Sequence, residues 1–76
     1  MMKESLEKYL PLVEKVVDEY QNQGLTLEEL MEAGNDGLKK AEEKYNPNAD
    51  FSFESYAVWW IRQHIIQAIT EKNNNE

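Results

Sequence analysis

Apolar residues recur along this chain at helical spacing, and three stretches carry the pattern. In the last, FSFESYAVWWIRQHIIQAIT from Phe51 to Thr70, the positions Phe53, Tyr56, Ala57, Trp60, Ile61, His64, Ile65 and Ala68 repeat at i, i+3, i+4 and i+7. That is the stripe of a helix lying on a core. About 100° further round, a second row holds Trp59, Gln63, Ile66, Gln67 and Thr70. Neighbouring residues of a helix cannot share one core, so Trp60 is expected inside and Trp59 outside. An exposed indole beside amides has the composition of a recognition surface.

The two earlier stretches support this one. Val13, Val16, Val17 and Tyr20 form a buried stripe with Glu14, Lys15, Asp18 and Glu19 outside it. Proline fits the first turn of a helix, so this helix is expected to start at Pro11, after a break near Leu10 and a short extra helix over Lys3 to Leu10. Gly24 is expected to close it as a left-handed cap. Thr26 and Glu29 have the spacing of a capping box. Leu27, Leu30, Met31, Gly34, Leu38, Ala41 and Tyr45 then line one side of a second helix.

Gly34 and Gly37 each cost about 1 kcal/mol relative to alanine inside that helix, which implies close backbone approach at both. Gly34 lies on the stripe and is expected to serve the fold. Gly37 lies off it and is expected on the surface, facing a partner, with Glu32, Asn35 and Asp36 around it. Asn46 to Asp50 is a turn by composition, and Ser52 suits an N-cap. Glu71 to Glu76 is polar and expected to be a disordered tail after a domain over residues 1–70.

No strand pattern or internal repeat is present, so the fold expected is a small all-α domain. Its helices span about Pro11–Gln21, Leu27–Tyr45 and Phe53–Lys72. Val13, Val16, Val17, Leu30, Met31, Leu38, Tyr56, Trp60 and Ile65 are expected to be buried together.

Composition narrows the chemistry. Seventy-six residues make one domain. The absence of cysteine rules out disulfides and thiolate metal sites, and the lone His64 cannot build a zinc site. No apolar run approaches the roughly 20 residues of a membrane span, and a cytoplasmic protein without a membrane partner is expected. His64 falls on the core stripe with no nucleophile beside it, so no enzyme is expected.

Net charge is −7, from 15 acidic and 8 basic residues. Most of the acid precedes Phe51, whereas Phe51 to Thr70 sets Glu54 against Arg62. Phosphate neutralisation supplies most non-specific affinity for nucleic acid. Any DNA contact here must therefore rest on stacking and base edges, with positive charge brought by another protein.

LTLEELMEAGNDGLKKAEEKYNPNADFSFESYAVWWIRQ resembles the second region of housekeeping-type bacterial RNA polymerase sigma factors, and the likeness runs from about Leu12 to Thr70. The resemblance implies a sigma region-2 type fold that binds core RNA polymerase and recognises and helps melt the minus-ten promoter element. It implies no cofactor, metal or small-molecule substrate. The helix bearing Glu29, Glu32, Asn35 and Gly37 corresponds to the one that docks on the clamp helices of the largest polymerase subunit.

Trp59 and Trp60 correspond to the tryptophan pair at the upstream fork of melted promoter DNA. Gln63 corresponds to the amide at the upstream end of the element. Phe53, Ser55 and Tyr56, with Tyr45 and Phe51, correspond to the residues around a flipped adenine on the non-template strand. Ile66 and Gln67 complete the DNA-binding set and depart from the family's Thr and basic residue. Ala33, Asp36 and Lys39 depart on the docking helix, and the turn at Asn46 to Asp50 lacks the family's arginines. A second reading is a polymerase-binding or regulatory module that keeps the docking helix without holding DNA; the acidic charge favours it.

Overall fold

The computed structural model describes residues 2–74, with side chains from Glu7 onward. Three helices follow one another, α1 over Met2–Asp18, α2 over Leu27–Lys44 and α3 over Phe53–Asn74, and no strand occurs among the described residues. The all-α architecture agrees with the helical stripes of the sequence.

One expectation about α1 is overturned. There is no break at Leu10; a single helix passes through Pro11. Proline removes the bond to the carbonyl four residues back, here that of Glu7. Glu7, Leu10 and Pro11 are all exposed, so water can satisfy that carbonyl. Apolar contacts on both sides keep the helix in line, because Tyr9 packs on Phe53 with ring centres 5.1 Å apart and Val13 is fully buried.

The helix also ends sooner than expected. Glu19 and Tyr20 donate to the carbonyls of Val16 and Val17, tightening the last turn, and Asn22 takes a left-handed φ of 66°. Gly24 has φ 108°, but it lies in the connecting turn, and Asn22 is the nearer reversal to the helix end.

Local signals at the other junctions hold. Thr26 Oγ1 accepts from the Glu29 N–H at 3.1 Å, and Glu29 Oε1 accepts from the Thr26 N–H at 2.8 Å, so the capping box is complete. At the end of α2, Tyr45 N–H donates to Ala41 and Ala49 N–H to Asn46 O, while the Asn46 side chain accepts from Asn48 N–H. Ser52 Oγ accepts from Ser55 N–H at 3.1 Å and caps α3.

The core is Val13, Val16 and Val17 from α1, Leu30, Leu38 and Ala41 from α2, and Ala57, Ile61 and Ile65 from α3. Met31, Tyr56 and Trp60 were expected there and are only half-buried. Leu27 was expected on the buried side and is 61% exposed, since in the first turn of α2 it faces Glu14, Val17 and Asp18 of α1 across an open hollow that leaves it uncovered.

The two helical glycines mark where helices touch. A β-carbon on Gly34 would lie 2.8 Å from Val13 Cγ1 and 3.6 Å from Ile61 Cγ2, so Gly34 sits where all three helices meet. A β-carbon on Gly37 would lie 2.6 Å from the Trp60 carbonyl oxygen and 2.7 Å from Ile61 Cα. Gly37 is buried, which corrects its assignment to the surface. Its closeness serves α3, because a central helix has two buried sides and a single apolar stripe records one of them.

The last helix outruns its expected end. Residues 71–74, assigned to a disordered tail, continue α3 in the structure. Lys72 Nζ pairs with Glu29 at 3.1 Å and Gln67 donates to Glu71 at 3.4 Å, which ties this turn to α2 and to its own helix. Residues 75–76 of that tail lie outside the described residues.

Candidate nucleic-acid interface

The capping of α3 by Ser52 and the turn before it decide what gathers at its N-terminal end. Tyr45, the last residue before the turn, donates its hydroxyl to the Phe51 carbonyl at 2.8 Å and so closes the turn on itself. That bond brings four predicted site residues together. The Tyr45 ring lies 5.3 Å from Phe53, 5.6 Å from Tyr56 and 6.2 Å from Phe51. Phe51 and Tyr56 are stacked at 5.5 Å with 25° between their planes.

The aromatic surface continues along α3. Tyr56 meets Trp60 at 6.3 Å, and Trp60 meets Trp59 edge-on at 5.2 Å and 89°. As the adjacency of the tryptophans requires, Trp59 is 54% exposed and Trp60 half-buried. Phe51 is 50% exposed. Gln63, Ile66, Gln67 and Thr70 all lie on the exposed side with Trp59, as their spacing predicts. Aromatic pairs in these offset and edge arrangements add about 0.5–1.5 kcal/mol each beyond burial, so the ladder holds its exposed members in place.

Two residues join the cluster without having been assigned to it. Tyr9 reaches Phe53 from α1, and His64 stands 6.0 Å from Trp60. The signal for Tyr9 was its spacing to Val13, Val16 and Tyr20, which is continuous across Pro11. Ser55 is less free than its role suggests, since its hydroxyl lies 3.1 Å from the Ser52 hydroxyl in the cap.

Electrostatics leave this face uncharged. Arg62 is the cation of the stretch from Phe51 to Thr70, and its Nη2 is 3.0 Å from Glu19 Oε1 and 3.3 Å from Oε2. A guanidinium held by a carboxylate has less to offer a phosphate. What the face presents is ring surface and amide, which suits an unpaired base better than a duplex backbone.

On α2, Glu32 is exposed and Asn35 half-buried, while Gly37 is covered by α3 and presents no surface. Glu29 is already engaged. Its carboxylate accepts from the Thr26 backbone and from Lys72, and these bonds, the Thr26 one foremost, hold its carboxyl below the ordinary value of 4.5.

Residues 6–74 match the sequence model of Sigma-70 region 2. The chain belongs to the Sigma-70 region 2 family. The RNA polymerase sigma factor RpoS of Coxiella burnetii is 45% identical over 71 residues, covering 93% of this chain and 20% of that protein. The sigma factor SigA4 of Synechococcus elongatus is 47% identical over 64 residues, covering 84% of this chain and 21% of its own length. This region 2 chain thus spans about a fifth of the length of those curated relatives. No helix among its described residues is long and apolar enough to cross a membrane.

Proposed function

We propose that this region 2 chain binds core RNA polymerase, through the clamp helices of its largest subunit, and recognises and helps melt the minus-ten promoter element in transcription initiation. The observation that carries the reading is the uncharged aromatic face, with Phe51 and Trp59 half in water beside an exposed Gln63. Stacking on aromatic rings is worth roughly 1–3 kcal/mol per base and needs an unpaired base to act on. Tyr56 and Trp59 supply that stacking. Tyr45, Phe51 and Phe53 wall the place where an extruded non-template adenine would lodge. Gln63, whose amide can bond adenine bidentately, supplies part of the base choice, with Ile66 and Gln67 extending the row. Glu32 and Asn35 serve docking, and Glu29 acts by fixing the start of their helix. The reading contains no catalytic step.

The second reading, a polymerase-binding module that does not hold DNA, draws on the Arg62–Glu19 pair and the net charge of −7. One experiment separates the two. The chain is titrated with core polymerase, then with a fluorescent single-stranded minus-ten oligonucleotide, with and without polymerase. Tyr56→Ala and Trp59→Ala should each weaken oligonucleotide binding in the polymerase complex by roughly 5- to 150-fold, the loss of one stacked base. Polymerase affinity should stay unchanged. Glu32→Ala and Asn35→Ala should do the reverse. Dispensable Tyr56 and Trp59, or four variants that all weaken polymerase binding alike, would leave the second reading in place.

A further inference from the structure

The stretch from Phe51 to Thr70 holds its one arginine against Glu19, so positive charge for a bound strand has to come from elsewhere. The fold brings a cation to the edge of the aromatic cluster from α1. Lys8 is exposed, and its Nζ stands over the Tyr9 ring, 5.4 Å from the ring centre. Tyr9 in turn lies 5.1 Å from Phe53, which lies 5.3 Å from Tyr45. The ammonium therefore sits one ring beyond Phe53, on the side where α1 meets the start of α3. How it is held matters as much as where. Lys40, Arg62 and Lys72 each face a carboxylate, which offsets their charge as it fixes their position. An aromatic ring attracts a cation through its quadrupole and has no net charge, so it orients Lys8 and leaves the charge in place.

We infer that Lys8 binds a backbone phosphate of the non-template strand, one that flanks the adenine lodged among Tyr45, Phe51 and Phe53. The inference rests on the proposed reading of the aromatic face and assigns it a residue from another helix. A base among those rings leaves its phosphates at the rim, because a charged group entering apolar surroundings would lose its hydration. Lys8 stands at that rim. A lysine ammonium is a compact charge on a flexible stem, suited to a phosphate that needs attraction without a fixed fork geometry. Such a contact positions the strand and reads no sequence. It thereby divides the labour, with α1 holding the backbone while Gln63 on α3 takes part in the choice of base.

The test uses the full chain in complex with core polymerase and the fluorescent single-stranded minus-ten oligonucleotide, over a range of salt. Lys8→Gln should flatten the slope of log affinity against log salt by about 0.7, the share of one phosphate on a single strand. That is about fivefold weaker binding at roughly 0.1 M salt, fading towards 1 M. Lys8→Arg should match the parent. Lys15→Gln removes the same charge about 10 Å further along α1 and should keep the parent slope. Oligonucleotides made neutral at one phosphate at a time, as methylphosphonates, locate the contact: the parent should lose affinity at a phosphate beside the adenine, and Lys8→Gln should be indifferent there. Lys8 is exposed and glutamine is as good a helix former, so the fold survives, as an unchanged urea midpoint would show. A parent chain that does not bind the oligonucleotide with polymerase present overturns the reading of the aromatic face, and this inference with it. Where the parent binds, the Lys8 contact alone is overturned if Lys8→Gln keeps the parent slope, if Lys15→Gln flattens it as much, or if Lys8→Gln still senses every neutral phosphate that the parent senses.

Discussion

Adding a single methyl group at Gly37 tests how α2 and α3 are joined. In Gly37→Ala the new carbon would sit 2.6 Å from the Trp60 carbonyl oxygen, 2.7 Å from Ile61 Cα and 2.9 Å from Ile61 N. All three are backbone atoms of α3, so no side chain can rotate away and the helices must separate. Alanine gains about 1 kcal/mol of helix propensity over glycine, whereas overpacking a well-packed core costs typically 1–3 kcal/mol and sometimes more. With backbone on the opposing side the upper end applies, and the net effect should be a loss of about 2 kcal/mol.

Gly34 is the internal control. Its β-carbon would meet Val13 Cγ1 at 2.8 Å, a side-chain methyl that can shift. Gly34→Ala should therefore cost less than Gly37→Ala. Urea unfolding followed by tryptophan fluorescence reads both, with a lowered midpoint and an unchanged slope. A domain of this size has roughly 4–11 kcal/mol in total at typical stability per residue, so Gly37→Leu should not fold at all. Gly37→Ala that equals the parent in stability, or exceeds Gly34→Ala, would refute the backbone contact.

Pro11→Ala should raise stability by about 1–3 kcal/mol, because it restores the bond to the Glu7 carbonyl and removes an interior proline; an unchanged urea midpoint would mean that Pro11 carries no strain. Glu29 has a lowered pKa in the fold, so its stabilisation is present above the unfolded value near 4.5 and is lost as pH falls through the lower folded value. Glu29→Gln should therefore be less stable than the parent at neutral pH and converge on it in acid, as urea midpoints at several pH values will show; equal offsets at all pH values would contradict this. Glu19→Gln frees Arg62, and single-strand binding in the polymerase complex should then gain about one phosphate contact, steepening the slope of log affinity against log salt by roughly 0.7. An unchanged slope would place Arg62 away from the strand.

What could be read from the sequence follows the range of the forces involved. Thr26 with Glu29, Ser52 with Ser55, and the turn at Asn46 all close within a few residues, and each stands where its spacing put it. The separation of Trp59 from Trp60 was equally legible, being a matter of helical angle. Contacts between helices were not. Pro11 obeys a local rule that Tyr9 on Phe53 and Val13 in the core override. Gly37 looked outward because α2 has a second buried side, and Leu27 looked inward because periodicity does not say how closely a neighbouring helix covers it. Glu29 was assigned to a partner surface, whereas Lys72, 43 residues on, already holds it. Phe51 and Tyr45, in and before the turn, were assigned by resemblance alone, and the bond between them joins the aromatic cluster to the end of α2.

Contact at Gly37 without an intervening side chain also governs how position is transmitted through the molecule. Side chains between helices act as soft spacers, since each has rotamers to exchange. Here a backbone lies on a backbone, and the joint has no such slack. Glu32 and Asn35 on one side, and Trp59 and Gln63 on the other, therefore behave as marks on a single ruler. Whatever grips α2 fixes the place and tilt of the aromatic row to within the width of that joint, with no hinge to adjust.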